Sequence, residues 1–176
     1  MIENLKFIHF LTASSLIEIC MLFLFRFTKH SDKTINNWYN NLGWTAVLLD
    51  ILSIMIGFYL AKYLYTYLVN KGYLSKKYEF VYYLGLVLLI QIIHDISFYF
   101  YIINPTSKGI NAVIDEFKDY ANHYKVQAIL ADSLIYLITT PVLYYYILNQ
   151  KNEKNIFTTI LCIYIIGYLL HQKPKY

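Results

Sequence analysis

Apolar residues in this chain are gathered into separate blocks of about twenty, the length that crosses a ~30 Å hydrocarbon core. That grouping restricts the fold more than any motif does. Of 176 residues, 58% are hydrophobic and 15% charged, and the charges fall mainly between the blocks. In lipid a spanning segment must satisfy its own backbone, so each block is read as a helix. The expectation is an all-α polytopic membrane helix bundle with four to five transmembrane helices. No Gly/Ser linker divides the chain and no internal repeat is evident. Residues 1–176 are therefore read as a single integral membrane domain.

The central block is Gly43 to Ala61, with Asp50 inside it. Gly43, Ala46, Asp50, Ser53, Gly57 and Ala61 recur at spacings of three and four and are all small or polar. Small residues on such a stripe let another helix approach closely, and an ionisable group there must face protein rather than lipid. This span is expected to be the packing post of the bundle. Val47, Leu48, Ile51, Leu52, Ile54 and Met55 are expected on its other sides.

Around it, Phe7 to Phe27 reads as a retained first span. It is too long for a signal sequence and carries Glu18 at its middle. Arg26 to Asn41 reads as a polar loop with an interfacial aromatic belt at Trp38, Tyr39 and Trp44. The third span, Phe80 to Ile103, presents Gln91, His94 and Asp95 on one face and closes at Asn104-Pro105. Gly109 to Tyr124 alternates apolar and acidic residues at helical spacing and reads as an interfacial amphipathic helix. The fourth span is Val126 to Leu148, with Asp132 and Ser133 near its start and a kink at Pro141. Ile156 to Leu170 is a shorter fifth run.

Let face A be the side of the N-terminus and face B the opposite side. Counting inward from face B at ~1.5 Å per residue, Glu18, Asp50, Asp95 and Asp132 all fall roughly 9–14 Å deep. His94 joins that layer. His30, His123 and His171 all belong to face B. Asp115, Asp119 and His123 of the amphipathic segment are placed above the layer as a lid.

Carboxylates alone suit protons or a hard cation, whereas carboxylates with imidazole suit a divalent metal. Taken singly, each acid has a plainer role as a helix–helix hydrogen bond, and only the shared depth joins them. One expectation is a small transporter or channel-like protein that binds a cation or carries protons. A structural or partner-organising membrane protein with no ligand ranks level with it, and a metal-dependent lipid-modifying enzyme is a further alternative. The enzyme ranks lower because the chain has no HxxxH or HExxH pattern.

A net charge of +4 is scattered through short loops. Nothing in it forms a nucleic-acid stripe. The partner is the lipid bilayer, and the small-residue stripe is also compatible with a homo-oligomer. Cys20 and Cys162 lie in apolar runs without a CxxC, so no disulfide framework is expected. The final run has no mid-span lysine of the rhodopsin kind, and no TVGYG filter is present.

Several groups of residues stand together: Trp38-Tyr39, Gly43, Ala46-Val47 and Asp50; Gln91 with His94-Asp95; Phe117 to Ala121; and Ala128 to Ser133. This combination resembles small multi-span membrane proteins of large DNA viruses of protists and of algae, over roughly residues 37–148. The resemblance implies a membrane location, in host or virion, and nothing catalytic.

Overall fold

A computed structural model describes residues 1–29 and 32–174. Seven α-helices form the frame: α1 (Phe7–Phe27), α2 (Lys33–Leu42), α3 (Trp44–Asn70), α4 (Glu79–Phe98), α5 (Ala112–Tyr124), α6 (Val126–Pro141) and α7 (Asn152–His171). No strand occurs among the described residues. Short helical turns carry α4 on to Ile103 and α6 on to Asn149. Five helices are then long and apolar enough to cross a membrane: α1, α3, extended α4, extended α6 and α7. This is the build of a multi-pass integral membrane protein. His30 lies outside the described residues.

The stretch expected to be a loop contains a helix. Asp32 caps α2, its Oδ1 accepting from the N–H groups of Thr34 at 2.8 Å and Ile35 at 3.1 Å. Ile35, Trp38 and Leu42 then recur at helical spacing and dock on the bundle. The Asn-rich composition hid a good N-cap followed by an amphipathic turn.

The architecture also corrects the expectation of no repeat. One order of elements occurs twice: a span, an interfacial helix, then a span (α1–α2–α3 and α4–α5–α6). Each interfacial helix turns into its following span through one residue of nearly the same unusual conformation. These are Gly43 at φ 56°, ψ −130° and Lys125 at φ 51°, ψ −126°. Positive φ strains a side chain with a Cβ, so its recurrence at Lys125 marks a conformation the architecture requires. Seven residues beyond each hinge stands an aspartate, Asp50 and Asp132. The sequences there match as Ala46-Val47-Leu48-x-Asp50 and Ala128-Ile129-Leu130-x-Asp132. Helix α7 has no counterpart and packs along α1.

Two parts of the small-residue stripe are corrected. Gly43 is the hinge and not a packing position in a helix, and Ser53 is exposed. Ala46, Gly57 and Ala61 are buried as expected, but Val47, Ile51, Ile54, Met55, Phe58 and Tyr65 are buried with them. Helix α3 is therefore covered on a broad face, and it shares the central place with α1, which touches α2, α3, α6 and α7.

Gly57 shows why a small residue is needed. A Cβ there would overlap the hydroxyl of Tyr136 and lie 3.0 Å from its ring. Tyr136 in turn packs edge-on against Phe58, with centroids 5.3 Å apart. Gly57→Ala should therefore cost about 1–3 kcal/mol of stability through overpacking. In a Tyr136→Phe background, which removes the colliding hydroxyl, the cost should shrink. Unfolding titrations in detergent on the four proteins of that cycle check it.

Candidate functional site

The acids of the layer occupy four helices and divide into two kinds. Asp50 and Asp95 are held by hydrogen bonds. Asp132 is not, and Glu18 keeps one oxygen without a partner.

Asp50 is held from above by α2. Its Oδ2 accepts from Trp38 Nε1–H at 3.0 Å and from the Tyr39 hydroxyl at 3.2 Å. The Tyr39 hydroxyl also approaches the carboxyl of Glu18 on α1, and Glu18 is within electrostatic reach of Asp50. Burial, then Glu18 and Asp50, push the Tyr39 phenol well above its ordinary range. It therefore stays a neutral donor between two acids. Trp38 and Tyr39 were read as belt aromatics. The spacing of Ile35, Trp38 and Leu42 was the signal that would have put them on an inward helix face.

Glu18 is 2% exposed, and its Oε1 has no hydrogen-bond partner. The hydroxyls of Ser14 and Ser15, one turn along α1, are buried and also unpartnered. Toward face A the series continues with Thr12. Its hydroxyl lies 2.8 Å from that of Thr159 on α7 and 3.2 Å from the carbonyl of Asn155. His9 ends the file, its Nδ1 accepting from Lys6 N–H at 3.0 Å. His9, Thr12, Ser15 and Glu18 follow one another three residues apart, so the series winds round α1 by about 60° a step and Glu18 lies on the side opposite His9. All are buried. Of this file only Glu18 was singled out from the sequence. Thr12 and His9 become part of it only through the packing of α7.

In the second repeat, Gln91 joins α4 to α6. The Ser133 hydroxyl donates to Gln91 Oε1 at 2.8 Å, while Gln91 Nε2–H donates to Asp95 Oδ2. Asp95 Oδ1 lies 3.1 Å from His94 Nδ1. Asp132 makes no hydrogen bond among the described residues, yet it lies within electrostatic reach of Asp95, Asp50 and His94. Tyr120 of α5 senses Asp132, Asp50 and Asp95. Tyr120 stands at the same distance from its hinge as Trp38 does from Gly43. The layer thus runs as a row: Glu18, Tyr39, Asp50, Asp132, Asp95, His94. His94 does not point inward as expected. Its side chain is 58% exposed and stacks on Phe98, which leaves it at the outer end of the row.

The lid is also placed differently. Asp115 accepts from Gly109 N–H at 2.9 Å, and Asp119 pairs with Lys108 at 2.7 Å. Both secure the loop before α5. His123 Nε2 lies 2.9 Å from Asp32 Oδ2, which also accepts from the Tyr124 hydroxyl at 2.6 Å. Trp38 packs on Phe117, centroids 4.8 Å apart, so α2 and α5 cover the row together.

No three described His, Cys, Asp or Glu side chains form a group that could hold one metal ion. The divalent-metal expectation therefore has no ligand set among the described residues. Comparison with protein-family models, with curated proteins and with solved structures finds no match.

Two outcomes test this site. Asp50→Ala strands the Trp38 N–H and the Tyr39 hydroxyl and should destabilise by about 2–4 kcal/mol, whereas Asp50→Asn retains an acceptor oxygen and should cost about 1 kcal/mol. Denaturation followed by tryptophan fluorescence measures both. Burial opposes the charged form of Asp32, but Tyr124, the N–H groups of Ile35 and Thr34, and His123 together hold its carboxyl below the usual range. A carboxyl depressed in the fold stabilises above its unfolded value of about 3.9 and loses that contribution as pH falls through the lower folded value. Below about pH 4 the α2–α5 contact should loosen. The Trp38 emission should shift there, and Asp32→Asn should lack that acid step.

Proposed function

We propose that this multi-pass membrane protein carries protons, through an acidic row in the face-B half and a series of buried polar groups winding along α1 toward face A. The observation that supports the reading best is Glu18, a carboxyl almost wholly buried with an unpartnered oxygen. An ionised carboxylate in that position needs a cation or hydrogen bonds, and burial without either costs several kcal/mol per group. Glu18 joins two series of exchangeable groups. On one side are Tyr39, Asp50 and Asp132; on the other are Ser15, Ser14, Thr12 and Thr159. The two repeats each add one acid near the start of a span, as binding groups in membrane transporters gather where repeats meet. Asp132, near Asp50 and Asp95 but bonded to neither, is the acid of the second repeat that can exchange a proton without breaking a structural bond.

The test is proton flux into liposomes holding the purified protein and a trapped pH-sensitive dye. Glu18→Gln and Asp132→Asn should reduce flux to that of empty liposomes while the protein remains folded. Thr12→Val should lower it in part. A wild type no leakier than empty liposomes would sink the proposal.

One observation favours a second reading. The Asp50 oxygen that faces α2 takes two bonds there and acts as a clamp. In a purely structural protein the row only locks helices, and Asp50→Ala would change stability with no flux to lose.

A further inference from the structure

Arg26 ends α1 at face B and takes no part in the acidic row. Its side chain is 1% exposed. Nη1 donates to Asn36 Oδ1 at 2.9 Å, and Nη2 donates to Asn40 Oδ1 at 2.9 Å and to the Leu170 carbonyl at 3.1 Å. The guanidinium also lies 5.9 Å from the centre of the Tyr39 ring. Every one of these partners is neutral, and Nε is buried with no acceptor. A cation removed from water among neutral dipoles gains from an anion brought close to it.

A place for that anion adjoins it. A cleft of about 250 Å³ opens between the α2–α3 turn and the end of α7, lined by Tyr39, Asn40, Leu170, His171 and Lys173 among others. Two of these, Asn40 and Leu170, are the residues that hold Arg26 Nη2. Lys173 and His171 add basic groups at the mouth, and no carboxylate lines the cleft among the described residues. The apolar flank beside it belongs to Trp44, which lies 3.6 Å from the space over Gly167, and to Tyr168 and Tyr164, all exposed.

We infer that this cleft binds the phosphate of an anionic phospholipid, with Lys173 and His171 on the headgroup, Arg26 as the charge behind the wall, and the acyl chains along Trp44 and Tyr168. The source is a lipid because the cleft lies where spans α1 and α7 end. There a headgroup and its chains meet a basic mouth and an apolar flank together. A free anion would use only the first. The site concerns α7, which the repeats lack, and is independent of proton transfer.

The experiment follows thermal unfolding of the full chain in neutral detergent during titration with phosphatidylglycerol, phosphatidylcholine or inorganic phosphate. Phosphatidylglycerol should raise the wild-type midpoint, and phosphatidylcholine should not. His171→Gln/Lys173→Gln, confined to the exposed mouth, should raise the half-saturating phosphatidylglycerol concentration by about tenfold. Asn40→Asp places a carboxylate on Arg26 and should remove the response. Equal effects of the two lipids, or variants that respond as the wild type does, overturn the site. Inorganic phosphate matching phosphatidylglycerol at equal concentration overturns its assignment to a lipid.

Discussion

A carboxyl group within a membrane has to be given a neighbour, and in this protein four spans each carry at least one at similar depth. Much of the arrangement follows from meeting that demand. Asp50 is met by α2, which lies across the bundle only because its N-terminus is capped by Asp32 and its far end turns through Gly43. Asp95 is met by Gln91, which also engages Ser133 and so draws α6 against α4. Tyr39 and Tyr120, both on interfacial helices, bring phenols to the acids from above. Where the demand is met by protein, the acid is structural. At Glu18 one oxygen stays without a partner, and Asp132 makes no hydrogen bond among the described residues.

A repeated plan accounts for the shared level of Asp50 and Asp132. Each hinge sets an interfacial helix across the start of a span and leaves an aspartate two turns below it. Two copies of that plan produce two aspartates at one level without separate adjustment of each. The two units differ where their neighbours differ. Trp38 reaches Asp50 through an indole N–H, while Tyr120 stands over Asp132 without a hydrogen bond to it. Helix α7 breaks the likeness further. By packing on α1 it meets the Thr12 hydroxyl with Thr159 and the Asn155 carbonyl, a contact the repeats do not supply.

The spans were legible in the sequence because hydrocarbon thickness sets a length that composition alone reveals. Phe7–Phe27 is the same segment in both readings, and the fifth run is extended by a first turn of polar residues from Asn152. The nearness of the acids was legible too, since rise per residue and alternating direction bring them together. The helix α2 was harder to see. Asparagine signals turns, and that composition outweighed a short apolar period of Ile35, Trp38 and Leu42. The repeat was missed because it lives in backbone geometry. Only a few residues near each hinge match, and a glycine in one copy is a lysine in the other.

From the sequence alone came an all-α membrane bundle and a layer of acids at one depth, because both depend on quantities counted along one chain. Which acids are bonded and which are open was decided by tertiary structure, because a hydrogen bond depends on orientation between helices. A difference of one helix face separates Asp95, tied to Gln91, from His94, which looks outward. Rotation about a helix axis is set by packing against neighbours. No periodicity in a single span fixes it, and that rotation put Glu18 in the interior and left His94 at the surface.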